Sequence, residues 1–329
     1  MTVTASASPS LALIKYWGKQ PGGVNLPATP SVAVTLHELR TTTIVTARPL
    51  APHDLITVNG QQQDPHAFAP IVDLFRSRTG SKEALGITST NNFPTSAGLA
   101  SSSSGFAALA LALDGYFGTG LAPGELSAAA RLGSGSASRA VYGGYTIWEA
   151  GTEQARPLLP ADHWPELRVL VTVLSTAAKP VSSRAGMGHS AATSPVYDHW
   201  CRESRTLFDR AVEALRTRDL EALGVAMRES YLFMFSTMFT SRPPFIYWLP
   251  ESLAIIREAE ALRGEGIPVW ETMDAGPQVK LLTRAPHVEA VRDRLAAAVP
   301  RAEVIVARAG GEPVVESSGE PSRESGSSS

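Results

Sequence analysis

The stretch that most constrains this chain is Asn91-Asn92-Phe93-Pro94-Thr95-Ser96-Ala97-Gly98-Leu99-Ala100, followed by Ser101 to Ser104 and Gly105. The strand-like segment ALGITSTNNF delivers it, and the apolar run FAALALALDGYF continues it. A strand, a small-residue polar loop and a helix in succession put a helix N-terminus at the end of a sheet. The N–H groups of a first helical turn have no intrahelical partner and carry partial positive charge, so such a loop suits an anion such as phosphate. A Ser-rich helix cap has the same local composition, so the neighbouring segments decide between the two. The spacing predicts a helix from about Ser103 to Phe117, with Phe106, Leu109, Leu113 and Phe117 as its core-facing stripe.

A chain of 329 residues is too long for one ordinary core and predicts two lobes, residues 1–163 and 164–310, with a disordered tail over 311–329. The net charge of −2 gives no global field that would attract nucleic acid or an anionic membrane, so any anion site must be local. The single cysteine, Cys201, excludes an intramolecular disulfide and a multi-thiolate metal site, and its neighbour Trp200 suggests a packing role. The N-terminus has no basic segment leading into an apolar one, and no run approaches the length of a membrane span. The expectation is a soluble, cytoplasmic protein with no nucleic-acid or membrane partner.

Residues 1–60 alternate in the β manner through LALIKYW, SVAVTLHEL, TTTIVTARPL and DLITVNG, which predicts an antiparallel meander with Asn59-Gly60 as a turn. Residues 66–78 read as a helix in their later part, and ELSAAARL as a helix after Pro123 that stops at Gly133. The loop Gly133-Ser134-Gly135-Ser136-Ala137-Ser138-Arg139 then offers an arginine on a small-residue frame, a geometry able to clamp a carboxylate or phosphate with two parallel hydrogen bonds. In the second half ELRVLVTVLS reads as a buried strand, Lys179 to Met187 as a polar basic loop, and 195–216 and 219–240 as helices. Met227, Phe233, Met234 and Phe235 belong to core packing. Another helix follows Pro243-Pro244, two strands join through Met273-Asp274-Ala275-Gly276-Pro277, and HVEAVRDRLAAA and RAEVIVAR close the lobe.

Several loops suited to anionic oxygen, the lysines Lys15 and Lys19, and one aspartate, Asp274, in a tight turn together suggest phosphoryl transfer, in which the protein mainly positions groups and neutralises charge. Locally, Asp274 is also what an ordinary turn former looks like. HExxH, GxGxxG after a strand, GxxxxGK[ST] and a Cys/His ligand cluster are all absent, so zinc hydrolysis, Rossmann binding and Walker-type ATPases lack their parts.

NNFPTSAGLASSSSGFAALALAL resembles the phosphate loop of the GHMP kinase superfamily, and SLALIKYWGK, SVAVTL, GSGSASRAVYGGYTIWE and TMDAGPQVKLL resemble its mevalonate diphosphate decarboxylase family. The resemblance spans about residues 5–308 and implies an α+β, two-lobed GHMP-kinase-like fold with the active-site cleft between lobes, commonly homodimeric. It implies ATP as co-substrate with Mg2+, phosphorylation of a tertiary 3-hydroxyl on 5-phosphorylated mevalonate, and loss of that phosphate with CO2. Asp274 then matches the catalytic aspartate, Lys19 the lysine that keeps it ionised, and Arg139 the arginine that holds the substrate carboxylate. Tyr16, Ser134, Ser183 and Arg184 match contacts to the 5-phosphate chain. Gly98, Ser101 and Ser102 match the ATP phosphate loop, and Asn91 and Lys179 match nucleotide contacts; no protein metal ligand is assigned.

The chain departs from the family pattern where Ser10-Leu11-Ala12 stands for Asn-Ile-Ala, Thr29-Pro30 for Asn-Ser, and Gln20 for a basic residue. Residues 58–70 contain no Lys or Arg, although diphosphate-specific relatives place one near the position of Ala67. Each missing charge-assisted hydrogen bond is worth about 1.5–3 kcal/mol, so a 5-monophosphate substrate is an alternative. A kinase that stops at phosphorylation has no need of Arg139, and an idle binding protein has no need of Asp274 or Lys19.

Overall fold

The computed structural model describes residues 1–94, 101–177 and 179–318. The N-terminal part forms strands β1 (Thr2–Ala7), β2 (Ser10–Ile14), β3 (Ser31–Thr35), β4 (Thr41–Ala47), β5 (Leu55–Val58) and β6 (Gln61–Gln62). Helix α1 (Ala69–Thr79) and strand β7 (Leu85–Asn91) lead to α2 (Ser101–Phe117), α3 (Pro123–Gly133), the one-turn α4 (Ala137–Ala140), β8 (Tyr145–Trp148) and β9 (Arg156–Leu159). Strand β10 (Leu167–Val173) is followed by α5 (Ser183–Thr193), α6 (Tyr197–Thr217), α7 (Leu220–Phe239) and α8 (Pro250–Gly264). Strands β11 (Val269–Met273) and β12 (Val279–Arg284), helix α9 (Val288–Ala298), β13 (Glu303–Ala307) and β14 (Val314–Ser318) complete the fold.

Among the described residues three sheets form, ordered β14-β1-β4-β7-β5-β6, β2-β3-β8-β9 and β11-β12-β10-β13. The single meander expected for residues 1–60 does not form. Strands β2 and β3 are buried at every position, so they need cover on both faces and leave for an interior sheet. Strand β4 alternates buried and open positions and lies on the half-solvated sheet, beside β1. The Asn59-Gly60 turn is as the sequence predicts: both residues have positive φ, 48° and 76°, the conformation that suits a tight β5–β6 hairpin.

Two other expectations are corrected. The composition of residues 311–329 predicts a disordered tail, yet β14 pairs antiparallel with β1 over Thr2–Ser6, satisfying backbone groups that an unpaired edge would leave open. Residues 319–329 lie outside the described residues. The basic loop at 179–187 is in part helix: the Ser182 hydroxyl accepts the Ala185 N–H at 3.2 Å, capping α5 and starting it at Ser183.

Packing explains the layering. Helix α2 covers the first sheet with Leu109 and Leu113 buried and Phe106 and Phe117 packed at the margin of the same core. Helix α6 buries Trp200, Ser204, Leu207, Ala211, Ala214 and Leu215 at helical spacing, whereas α7 is buried around most of its circumference and serves as the axis of the second half. One core joins β2, β3 and β8 to β10, α6 and α7, so the interior sheet is wedged between the two halves. Cys201 is a half-buried free thiol beside the fully buried Trp200. No described helix is long and apolar enough to cross a membrane.

Candidate active site

A cleft of about 390 Å3 opens where the end of β2, the start of α2, the α3–α4 junction, α5 and the β11–β12 turn meet. Among the described residues five cationic side chains line it, Lys15, Lys19, Arg139, Lys179 and Arg184, against one carboxylate, Asp274. That imbalance suits a ligand with several negative charges.

Asp274 leaves the end of β11, and its carboxylate is gripped from two sides. Lys15 Nζ donates to Oδ1 at 2.8 Å, and Lys280 Nζ lies 3.0 Å from Oδ2. The two lysines are 1 % and 3 % exposed and Asp274 is 24 % exposed, so the carboxylate is the most open of the three groups. Burial pushes the Asp274 acid up, but Lys15 and Lys280 outweigh it and hold the carboxyl well below the usual carboxylate range. Burial pushes Lys15 down to about 8, against the pull of Asp274 and helped by Lys280 and Arg139.

This corrects the expectation for Lys19. The ammonium groups beside Asp274 belong to Lys15 and Lys280; Lys19 lines the same cleft but donates to Asn25 Oδ1 at 2.6 Å. The backbone explains the difference. Strand β2 ends at Ile14, Lys15 turns inward with Nζ anchored on the Ala12 carbonyl at 2.7 Å, and the chain then turns away at Gly18, φ 115°. A side chain at Gly18 would also meet the Tyr197 hydroxyl, so only glycine fits that turn.

Arg139 is 2 % exposed, with Nε 3.4 Å from the Ser10 hydroxyl and Nη1 donating to the Ser31 hydroxyl. The Ser10 N–H in turn donates to Ser103 Oγ at 3.0 Å, tying the arginine's support to α2. Burial lowers the Arg139 pKa to about 10, opposed by Asp274 and Tyr16, and the group stays cationic at neutral pH. Tyr16 packs on Trp148 with ring centroids 5.0 Å apart, and a Cβ at Gly135 would strike its ring.

Ser102, Ser134 and Ser136 form a hydroxyl chain at 3.2 and 3.3 Å beside the first turn of α2. Lys179 reaches the Ser183 hydroxyl at 3.4 Å, and Arg184 the Gly133 carbonyl at 3.4 Å. The cleft therefore collects Asp274, Lys19, Arg139, Tyr16, Ser134, Ser183, Arg184, Ser102 and Lys179. Ser101 opens α2 but is not among the described lining residues, and Asn91 ends β7 with Oδ1 accepting from the Thr41 hydroxyl at 2.6 Å, also off the lining. Gly98 lies outside the described residues. Sequence reasoning missed Lys280 and Ser31, and it saw Lys15 without a role. A lysine next to the apolar Val279, Leu281 and Leu282 of the buried strand β12 was the available signal for Lys280.

Lys15 makes alkaline behaviour predictable. Its charge disappears as pH rises through about 8, so kcat/KM should fall over that range in an assay across pH 6–10. The fold itself loses nothing there, because a lysine with a lowered pKa is relieved of an unfavourable charge as pH rises.

This fold and cleft define a two-lobed α+β protein of the GHMP-kinase-like class, built for an anionic substrate. The chain belongs to the diphosphomevalonate decarboxylase family: residues 7–158 match the diphosphomevalonate decarboxylase-like N-terminal domain, and residues 169–326 the mevalonate 5-diphosphate decarboxylase C-terminal domain. It is 35% identical to the diphosphomevalonate decarboxylase of Schizosaccharomyces pombe, over 94% of this chain and 86% of that protein. The rat enzyme of the same name is 36% identical, over 86% of this chain and 77% of its own length. Among solved structures, mevalonate diphosphate decarboxylase from Staphylococcus aureus superposes with a TM-score of 0.91 at 33% identity, covering 96% of this chain and 98% of that one. A complex of MDDEF with MVAPP, AMPPCP and magnesium gives 0.90 at 34% identity, covering 97% and 99%.

Proposed function

We propose that this chain catalyses the ATP-dependent decarboxylation of mevalonate 5-diphosphate to isopentenyl diphosphate, the reaction its relatives are named for. The observation that carries the reading is the Asp274 carboxylate, held ionised at the cleft wall with Arg139 facing the same space. Asp274 orients the tertiary hydroxyl and takes its proton. A carboxylate held so far below its usual range is a weak base toward a free alcohol, so the proton moves late, once bonding to phosphorus has made the hydroxyl acidic. Lys15 neutralises charge at the transferring group. Arg139 holds the substrate carboxylate; departure of the new phosphate develops positive charge at the tertiary carbon, and the carboxylate fragments to CO2 and the alkene.

Lys19, Arg184, Tyr16, Ser134 and Ser183 are assigned to the 5-diphosphate, and Ser101, Ser102, Gly98, Lys179 and Asn91 to the ATP side. The described residues hold no cluster of three His, Cys, Asp or Glu side chains. The hard hydroxyl oxygens of Ser102, Ser134 and Ser136 fit Mg2+ that arrives with nucleotide phosphates, and the ion would supply charge neutralisation there. We assign residues 1–163 to the ATP-binding half and 164–310 to the second half, in a cytoplasmic homodimer.

One observation favours a second reading, the 5-monophosphate: no described residue from 58 to 70 lines the cleft, and that segment contains no Lys or Arg. The deciding test is CO2 release from mevalonate, its 5-phosphate and its 5-diphosphate, side by side with ATP and Mg2+. The diphosphate is expected to give the highest kcat/KM. A higher value for the monophosphate overturns the substrate assignment, and phosphorylation without CO2 overturns the decarboxylase reading.

A further inference from the structure

Asp274 touches two spaces, and its two lysines belong to different ones. Lys15 lines the substrate cleft, whereas Lys280 is not among the described lining residues there. Lys280 instead borders a small apolar cavity behind the carboxylate, formed with Pro9, Leu11, Leu36, Leu39 and Val171. It projects from β12, an interior strand of its sheet, where it sits in register between Val171 on β10 and Thr272 on β11. A lysine in the middle of a buried sheet carries a large desolvation cost, offset only where a specific counter-charge is held against it. That counter-charge is Asp274 Oδ2 at 3.0 Å, on the oxygen that Lys15 does not hold.

We propose that Lys280 is a positioning residue, which fixes Asp274 from the side away from substrate so that its orientation and ionisation are set before any ligand enters. Lys280 acts through Asp274 and touches no substrate. This rests on the reading of Asp274 as the carboxylate that meets the substrate hydroxyl. The charged groups around that carboxylate are Lys15 after β2, Lys280 on β12, Arg139 on α4, and Lys179 ahead of α5. With all four present, a ligand phosphate arriving in the cleft does not have to reorganise the carboxylate. Without Lys280 the carboxylate keeps one ion pair and gains freedom to rotate toward the cleft's other cations.

The direct test is a carbon-13 titration of the Asp274 carboxyl in protein labelled at aspartate, assigned by the signal that Asp274→Asn removes. In the unaltered protein the carboxyl should stay ionised down to the lowest pH at which the protein remains folded. A midpoint in the ordinary carboxylate range, about 3.9, overturns the proposal regardless of any variant. In Lys280→Met the midpoint should rise by about one to three units, the effect of losing one close opposite charge. Lys280→Gln reads the same effect should the methionine variant fail to fold, and Lys280→Arg should stay within about half a unit of the parent.

Activity adds an independent signature, since the Lys280 charge also lowers Lys15. Removing it should move the alkaline limb of kcat/KM upward from about 8, while KM for the phosphorylated acid changes less than about twofold. A folded Lys280→Met protein with an unmoved carboxyl midpoint and an unmoved alkaline limb contradicts the proposal, as does an equal loss of activity in Lys280→Arg. Failure of the unaltered protein to release CO2 would count against the proposed function alone, because the carboxyl titration needs no turnover.

Discussion

Asp274→Asn is expected to lower kcat by about three orders of magnitude, within the range that a positioned acid–base group contributes. The substitution keeps the side chain's size and one hydrogen-bond acceptor, and removes the charge. KM for the phosphorylated substrate should change little, because Lys19, Arg184 and Arg139 remain in place. Lys15 and Lys280 lose their shared counter-charge, so stability falls as well. Removing one partner of a buried ion pair costs about 3–5 kcal/mol, and the 24 % exposure of Asp274 puts the loss at or below the lower end of that range. The pH dependence has a definite sign. A carboxylate whose folded pKa is depressed stabilises the fold above its ordinary unfolded pKa, and that contribution fades as pH falls toward the folded value. The stability gap between parent and variant, measured by urea unfolding, should therefore narrow below about pH 4. A variant with near-normal turnover would remove Asp274 from the chemistry.

Arg139→Lys should cost about two orders of magnitude in kcat/KM, although charge is conserved. The guanidinium is held at Nε and Nη1 by Ser10 and Ser31 inside a buried site, which fixes the plane of the remaining donors. Lysine offers a single rotatable ammonium, leaves both hydroxyls without their donor, and cannot present two parallel N–H groups to a carboxylate. Two weakened charge-assisted hydrogen bonds account for about 3 kcal/mol or more. Because the carboxylate must fragment only after phosphoryl transfer, poor placement should slow CO2 release more than ADP formation. Quenched-flow measurement of both products should find ADP ahead of CO2 in this variant. Equal rates of both products at parental levels would sink the role given to Arg139.

The sequence carries the class of the site better than its internal wiring, and the reasons are physical. Asp274, Arg139 and the serine-rich start of α2 each sit on short local signatures, a tight turn or a small-residue loop, and such signatures survive reading in one dimension. The partner of Asp274 does not. Lys15 and Lys19 stand four residues apart around a Gly-containing turn, and which one points inward depends on where β2 ends and on the positive φ of Gly18. Lys280 is set by pairing between β10, β11 and β12, and Ser31 reaches Arg139 only because β3 pairs with β2 and β8. Strand β1 was hidden because TVTASA has few bulky apolar residues, and β14 because its neighbours have a tail's composition while its partner lies at the opposite end of the chain. Helix α5 escaped for a similar reason, since SRAGMGHSAAT has glycines within it and depends on the Ser182 cap and on packing of Met187.

The measurement that bears most directly on the whole account is a single-turnover experiment with mevalonate 5-diphosphate labelled at its carboxyl carbon, ATP and Mg2+. The cleft described here predicts that unaltered protein releases labelled CO2 and ADP in equal amounts, and that Asp274→Asn releases neither above background. Production of ADP with the label retained in a stable phosphorylated acid, or release of CO2 without ATP, would contradict it.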